Sequence, residues 1–176
     1  LSYFWGGVQL HDIKNMEITE EYLKTFFAKN SDYYFDKWKE FKNGKIISFK
    51  PYAFLFGLIW FLYRKMYREV LLLLLVIFLE VILEEYLLSD VLGMQEGSRK
   101  FIDCIAKFFF GLFCGMFGNY LYMKSSERKI INILSRDLSE EEKNRLLGKL
   151  GGTSWLALII LALIIVTIIY LKNYLE

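Results

Sequence analysis

The side chains best placed to do chemistry are four ionisable residues inside apolar segments of this 176-residue chain. Glu80 and Glu84 lie in one segment, and Asp103 and Lys107 lie in the next. A charge at the bilayer centre costs about 2.5–3.5 kcal/mol on insertion scales, so each of them needs a partner or a wet cavity. If the two segments are adjacent antiparallel helices, the depth of Lys107, counted in residues from the external end, lies between the depths of the two glutamates. Asp103 lies one turn from Lys107 on the same helical face. The pattern predicts a structural ion-pair network, a proton or cation pathway, or snorkelling toward the external interface.

Other chemistry-bearing motifs are not found in the sequence. It contains no HExxH, GxSxG, Walker or dinucleotide fingerprint, and its one histidine is His11. Cys104 and Cys114 lie in an apolar segment, as expected of buried thiols rather than of a zinc or redox site. We therefore expect no enzymatic activity, no metal and no cofactor.

The composition is typical of a membrane protein. Hydrophobic residues make up 55% of the chain and the mean hydropathy is +0.31, against about 45–50% apolar residues in soluble domains. Because 24% of the residues are charged, the surplus apolar residues must be concentrated in blocks. The net charge is only +2, and the basic residues lie at the boundaries of the apolar blocks rather than in a patch that could bind nucleic acid. We expect an all-α integral membrane protein whose immediate partner is the lipid bilayer, with no nucleic acid bound.

Three apolar blocks are long enough to cross a bilayer, since about 20 helical residues rise about 30 Å. A fourth block, residues 51–63, would rise only about 20 Å and is predicted to be an interfacial or re-entrant helix. The predicted crossings are residues 69–88, 101–123 and 155–171. The predicted domains are 1–50, the cytosolic amphipathic helices; 51–68, the short helix with its basic cluster; and 69–176, the three-helix transmembrane region with cytosolic loop 124–153.

Aromatic residues at helical spacing predict two amphipathic helices before the membrane, at residues 19–30 and 31–42. Ser31 is a candidate cap for the second helix. Their aromatic faces have three candidate uses: to lie on lipid headgroups, to pack on each other, or to cover the protein's own cytosolic loop. In that loop, Ser139 with Glu142 predicts a capping box, and the Gly151-Gly152 pair predicts the end of the helix.

The positive-inside rule discriminates between two topologies. If residues 51–63 do not span, most of the 22 lysines and arginines lie on the cytosolic side; if they span, the basic residues divide almost evenly. The bias predicts a cytosolic N-terminus and an external C-terminus.

The aromatic and basic residues at 60–68 predict a membrane anchor. Trp60 and Tyr63 are typical of the water–lipid boundary, and Arg64, Lys65 and Arg68 favour the anionic cytosolic face. Recognition of a lipid headgroup or a protein partner at Arg64 and Lys65 is the alternative.

Small residues recur along the second predicted crossing. Gly111 and Gly115 are one turn apart and Gly118 follows, a pattern that lets helix backbones approach closely. Packing within the fold and contact between protomers both remain open.

The run SFKPYAFLFGLIWFLYRKMYREV, preceded by YYFDKW, resembles the family called domain of unknown function 2628, small bacterial membrane proteins without an assigned activity. The stretches FGNYLYMKSSERKI and GGTSW are also similar, so the resemblance covers most of residues 31–160. At Lys50 the family more often has Asn. The resemblance implies the bacterial plasma (inner) membrane and carries over no catalytic residue.

We therefore expect a non-enzymatic inner-membrane protein that acts as an interaction, scaffold or regulatory subunit, through a protein partner or self-association. The alternative is an oligomeric ion channel or transporter that uses the intramembrane charges.

Overall fold

The computed structural model describes residues 18–175, and these residues form helices joined by short links. His11 lies outside this range. The helices are α1 (Glu20–Phe27), α2 (Ser31–Lys42), α3 (Pro51–Phe56), α4 (Leu58–Tyr63), α5 (Tyr67–Glu84) with a π-helical extension (Glu85–Val91), α6 (Glu96–Leu134), α7 (Glu140–Leu150) and α8 (Trp155–Leu175). The all-α class predicted from the sequence is confirmed for the described part of the chain.

The chain divides into two compact units, and each is built from two separate stretches. The described part of unit 1 comprises residues 18–46 and 120–153, and that of unit 2 comprises residues 47–119 and 154–175. This grouping differs from the sequence-based division, because the N-terminal helices pack with the polar loop rather than standing alone.

Local capping explains where the helices of unit 1 begin. Thr19 caps α1 through its side chain, and Ser139 and Glu142 form the predicted capping box at the start of α7. The predicted Ser31 cap is wrong, because Asn30 is the N-cap of α2 and adopts a left-handed conformation with φ 67°. Asparagine tolerates this conformation better than most residues do.

The core of unit 1 is an aromatic cluster between helices that are far apart in sequence. The Phe27 ring lies 5.4 Å from that of Tyr34 and 5.8 Å from that of Tyr122, and the two tyrosine rings are 5.0 Å apart. All three side chains are buried. The aromatic faces of α1 and α2 therefore pack on each other and on the last part of α6, not on lipid.

Unit 2 contains a broken apolar segment where one short helix was expected. α3 and α4 have six residues each and meet at Gly57, whose φ of 46° and ψ of −121° lie in a region that glycine adopts most readily. Neither helix is long enough to span a bilayer.

Two helices among the described residues are long and apolar enough to cross a membrane. One is α6, and the other lies in the stretch Glu140–Lys172, where α8 supplies the apolar residues. Their apolar windows are 17% and 0% buried, so these residues do not form the core of a soluble protein. α5 is shorter and carries four charged residues, so the three predicted crossings are not all shown.

Candidate functional site

The predicted intramembrane charge cluster lies in unit 2, where α5 and α6 face each other. Lys107 Nζ lies 2.5 Å from Asp103 Oδ2, one turn earlier on α6. Glu84 lies beside Glu80 on α5 and interacts electrostatically with both members of that pair. Asp103 is thus the ion-pair partner of Lys107, and Glu84 interacts electrostatically with that pair.

A second ion pair joins the π-helical extension to α6, and the sequence analysis did not predict it. Arg99 Nη1 lies 3.2 Å from Glu85 Oε2, across the link between the π-helical extension and α6. The signal that indicates this pair is the opposite charge of Glu85 and Arg99 on either side of a short link. The charges near this end of the hairpin are therefore arranged in opposite-sign pairs.

The geometry of these charges suits a surface network more than an enclosed site. The Lys107 side chain is 75% exposed, and Glu85 is also exposed. Among the described residues, no three His, Cys, Asp or Glu side chains are grouped to hold a metal ion. A shallow groove on α8 is apolar and is lined by Ile160, Leu163, Ile164 and Thr167.

The three glycines of α6 face the broken segment of the same chain. A Cβ added at Gly111 would lie 3.2 Å from the Phe54 carbonyl oxygen, and one added at Gly118 would lie 2.9 Å from Ala53 Cβ. A Cβ at Gly115 would lie 2.8 Å from Phe54 Cβ. The missing side chains therefore let α3 approach the backbone of α6 within one chain.

Hydrogen bonds fix this approach where the chain enters α3. The backbone N–H of Lys50 donates to the Gly115 carbonyl at 2.8 Å, and that of Ser48 donates to the Met116 carbonyl at 3.1 Å. The Asn119 side chain donates to the Ser48 hydroxyl at 3.2 Å. Extended backbone before α3 is thereby hydrogen-bonded directly to backbone carbonyl groups of α6.

Residues 60–68 occupy several environments rather than one membrane-facing surface. Trp60 and Arg64 are buried, each 6% exposed, so their side chains do not fit the predicted contact with headgroups. Tyr63 packs edge-on against Trp155 with ring centroids 5.2 Å apart, and Arg68 is exposed.

Lys65 follows α4 by two residues and adopts a left-handed conformation with φ 56°. The N–H groups of Lys65 and Met66 donate to the carbonyl groups of Leu62 and Phe61 and so close the end of the helix. Glycine is the usual residue at such a helix end. Partial burial lowers the pKa of Lys65. Lys65 and Arg68 remain the candidates for contact with lipid headgroups.

Comparison with known protein families matches residues 17–128 to the family described as "Protein of unknown function (DUF2628)". The chain belongs to this family. The match confirms the resemblance seen in the sequence and runs from before α1 into the last part of α6. The GGTSW stretch at 151–155 lies beyond the matched residues. No curated protein and no solved structure shows significant similarity to the chain.

The matched range of the DUF2628 region contains every candidate site residue. The charge cluster, the glycines of α6 and the basic residues after α4 all lie within it. It excludes α7 and α8. The family description names no activity, so the roles of these residues rest on geometry.

Proposed function

We propose that this DUF2628 protein is a non-enzymatic bacterial inner-membrane protein that crosses the membrane three times and serves as an interaction, scaffold or regulatory subunit. The observation that carries the proposal is the composition of unit 1, in which residues 18–46 pack with residues 120–153. Stretches that share one folded core lie on one side of a membrane.

Three contacts support this shared core besides the aromatic cluster. Lys42 forms an ion pair with Glu127 at 2.6 Å. The Tyr22 hydroxyl donates to Glu140 at 2.7 Å. The N–H of Gly152 donates to the carbonyl of Phe26, the penultimate residue of α1, at 2.8 Å. Each contact joins the N-terminal helices to the loop after the second predicted crossing.

The number of crossings follows from this arrangement by parity. If residues 46 and 120 are on one side, the chain between them crosses an even number of times. α6 is apolar enough to supply one crossing. α5 rises about 27 Å over its 18 residues, and the π-helical extension lengthens it, so α5 is the candidate for the other. α8 then carries the C-terminus to the external side.

The ends of the α3–α4 segment also support this topology. Its entry is bonded to Gly115 and Met116, near the unit 1 end of the apolar part of α6. At its exit, the Tyr63 carbonyl accepts a hydrogen bond from the Ser154 N–H at 2.8 Å, immediately before α8. The entry therefore meets α6 in the half of the crossing nearer the cytosolic loop, and the exit meets the chain directly after that loop, as a re-entrant segment requires.

The interaction role rests on the surface that unit 1 exposes. Its aromatic residues are used in its own core, whereas charged side chains such as Asp36, Glu141 and Arg145 are exposed. A folded unit held at the membrane with a charged outer surface is suited to binding a protein partner.

A tag-accessibility experiment tests the topology. We expect a C-terminal tag to be cleaved by protease added to intact spheroplasts and an N-terminal tag to be protected. Lysed spheroplasts, in which both tags are cleaved, provide the control. Cleavage of both tags, or of neither, in intact spheroplasts would remove the basis of the proposal.

A channel or transporter is the second candidate, favoured by the juxtaposition of Glu84, Asp103 and Lys107. Three crossings are too few for a pore in a single chain, so this function requires an oligomer. Mass measurement in nanodiscs and ion flux from proteoliposomes separate the two. The interaction role predicts no flux, whereas an oligomer whose flux is abolished by Asp103→Asn would establish the channel.

A further inference from the structure

The outer face of the α3–α4 segment is apolar and exposed. Tyr52 is 61% exposed and Leu55 is 68% exposed, and Phe56 and Ile59 are exposed as well. The opposite face, with Ala53, is buried. No residue between 51 and 63 is charged. Exposed apolar surface of this kind on both short helices requires an apolar environment.

The segment reaches a limited depth along α6. Phe54 packs against Gly111, which precedes Asn119, the last residue of unit 2 in that helix, by eight positions. Eight helical residues rise about 12 Å, less than half of a hydrocarbon core of about 30 Å. The deepest ring contact, that of Phe54 with Phe108 at 6.1 Å, lies eleven positions from Asn119, about 16–17 Å along the helix and close to the middle of the bilayer. The segment therefore reaches about the bilayer middle from the cytosolic side, and under the topology proposed above its area falls mainly in the cytosolic leaflet.

Charge indicates which surface covers this face. From residue 41 to residue 68 the sequence contains six basic residues and no acidic residue. Lys42 and Lys45 form ion pairs with glutamates, and Arg64 is buried. The basic residues that flank the uncharged segment and suit headgroup contact are therefore Lys50, Lys65 and Arg68, of which Arg68 is exposed. Basic side chains flanking an apolar segment complement the anionic headgroups of the cytosolic leaflet.

From these observations we propose that the α3–α4 segment is a wedge in the cytosolic leaflet, which makes the protein prefer membranes whose cytosolic leaflet is convex. The occupant of the exposed face is lipid: acyl chains around the helices and anionic headgroups at the flanking basic residues. This inference rests on the proposed topology.

The geometric reason is an imbalance of area between leaflets. A helix with its side chains is about 10–12 Å wide, so each one takes roughly 100 Å² of membrane area. Three crossings add equal area to both leaflets, whereas α3 and α4 add area mainly to the cytosolic leaflet. The outer leaflet of a small vesicle is convex, and it accommodates an inserted helix more readily than a flat leaflet does. Amphipathic lipid-packing sensors bind curved membranes for this reason.

Sorting between vesicle sizes tests the wedge. The full chain is reconstituted into anionic vesicles of two diameters, and the density of molecules with unit 1 facing outward is measured from the protected fraction of a C-terminal tag. We expect roughly threefold enrichment on the smaller vesicles, which requires a preference of only about 0.7 kcal/mol. Equal densities on both sizes would overturn the wedge.

Paired variants identify the part of the chain responsible. Leu55→Asn/Phe56→Asn makes the exposed face of the segment polar and should abolish the size preference. Ile169→Asn/Tyr170→Asn makes the same change at exposed positions of α8 and should retain it. A preference that survives in the first variant would refute the role of α3 and α4.

Cysteine labelling separates failure of the wedge from failure of the topology. In a Cys104→Ser/Cys114→Ser background, Leu55→Cys should resist a membrane-impermeant maleimide from both sides. Labelling from the aqueous phase would overturn lipid burial. A crosslinked dimer through this cysteine would show that a second copy covers the face instead. If the N- and C-terminal tags lie on opposite sides of the membrane but the protein shows no preference for small vesicles, the topology stands and only the wedge is refuted.

Discussion

Replacing Gly115 by alanine tests the close approach of α3 to α6. The added Cβ would lie 2.8 Å from both Phe49 Cε2 and Phe54 Cβ. Carbon atoms are best separated by about 3.5–4.0 Å, so the overlap is roughly 0.7–1.2 Å at each contact. The Phe49 ring can turn, whereas Phe54 Cβ moves only with its backbone.

The expected loss of stability is the balance of two opposing effects. Overpacking costs about 1–3 kcal/mol, and alanine recovers up to about 1 kcal/mol of helix propensity over glycine. We expect a net loss of about 1 kcal/mol for Gly115→Ala. Gly97→Ala on the same helix is the matched control, because nothing lies within 4 Å of its added Cβ, and it should be neutral or stabilising.

Thermal unfolding in detergent, followed by tryptophan fluorescence, measures the difference between these variants. A melting temperature for Gly115→Ala equal to or above that of Gly97→Ala would refute the packing argument. Gly115→Ile, compared by detergent-extracted mass, addresses the alternative of contact between protomers. A lower mass than that of the wild type would assign Gly115 to such a contact.

Three further perturbations address the other contacts. In Gly151→Ala the new Cβ would overlap the carbonyl at the end of α1, so unit 1 should lose several kcal/mol, about 3 or more, and become sensitive to protease; Gly148→Ala, with open space around it, should not. Lys107→Met should reduce thermal stability more than Asp103→Asn/Lys107→Met does, because the single change leaves a carboxylate without its partner; additive losses would argue against the pair. Hydrogen bonds from a lysine one turn later, and then from the α1 tyrosine, hold the pKa of Glu140 below its ordinary value of 4.5. Because the pKa of Glu140 is lower in the folded state than in the unfolded state, ionised Glu140 stabilises the fold above the unfolded-state pKa, and this contribution is lost as the pH falls through the folded-state pKa. Glu140→Gln should therefore flatten the acid limb of a stability–pH curve, and an unchanged limb would contradict this.

Local sequence signals predicted the helices of unit 1 well. Aromatic spacing identified α1 and α2, and the capping box located the start of α7 to the residue. Packing of these aromatic faces on each other was one of the predicted uses, and the contact of Phe27 with Tyr34 confirms it. The part played by Tyr122 was not predicted, because Tyr122 reaches the faces only through packing between distant parts of the chain. The role of Gly151 goes beyond ending α7, since its backbone meets that of Phe26.

The site in unit 2 was predictable only where its contacts are local. The pairing of Asp103 with Lys107 follows from one helical turn. The break at Gly57 has no sequence signal that distinguishes it from an ordinary glycine in an apolar helix. The burial of Arg64 was also missed, because basic residues beside an apolar segment usually face the membrane boundary.

The interleaved construction of unit 1 has a consequence for biosynthesis. Phe27 leaves the ribosome long before Tyr122, its ring partner in the core, exists. At about 5–20 residues per second, roughly 100 residues of translation separate them by about 5–20 s. Throughout that interval the aromatic faces of the first two helices can pack only on each other, while the apolar segments from α3 to the first part of α6 are being synthesised. We therefore expect the nascent protein to need temporary shielding of these faces, and a product truncated before the loop would keep Leu23, Phe26 and Phe27, which the complete fold buries, more exposed.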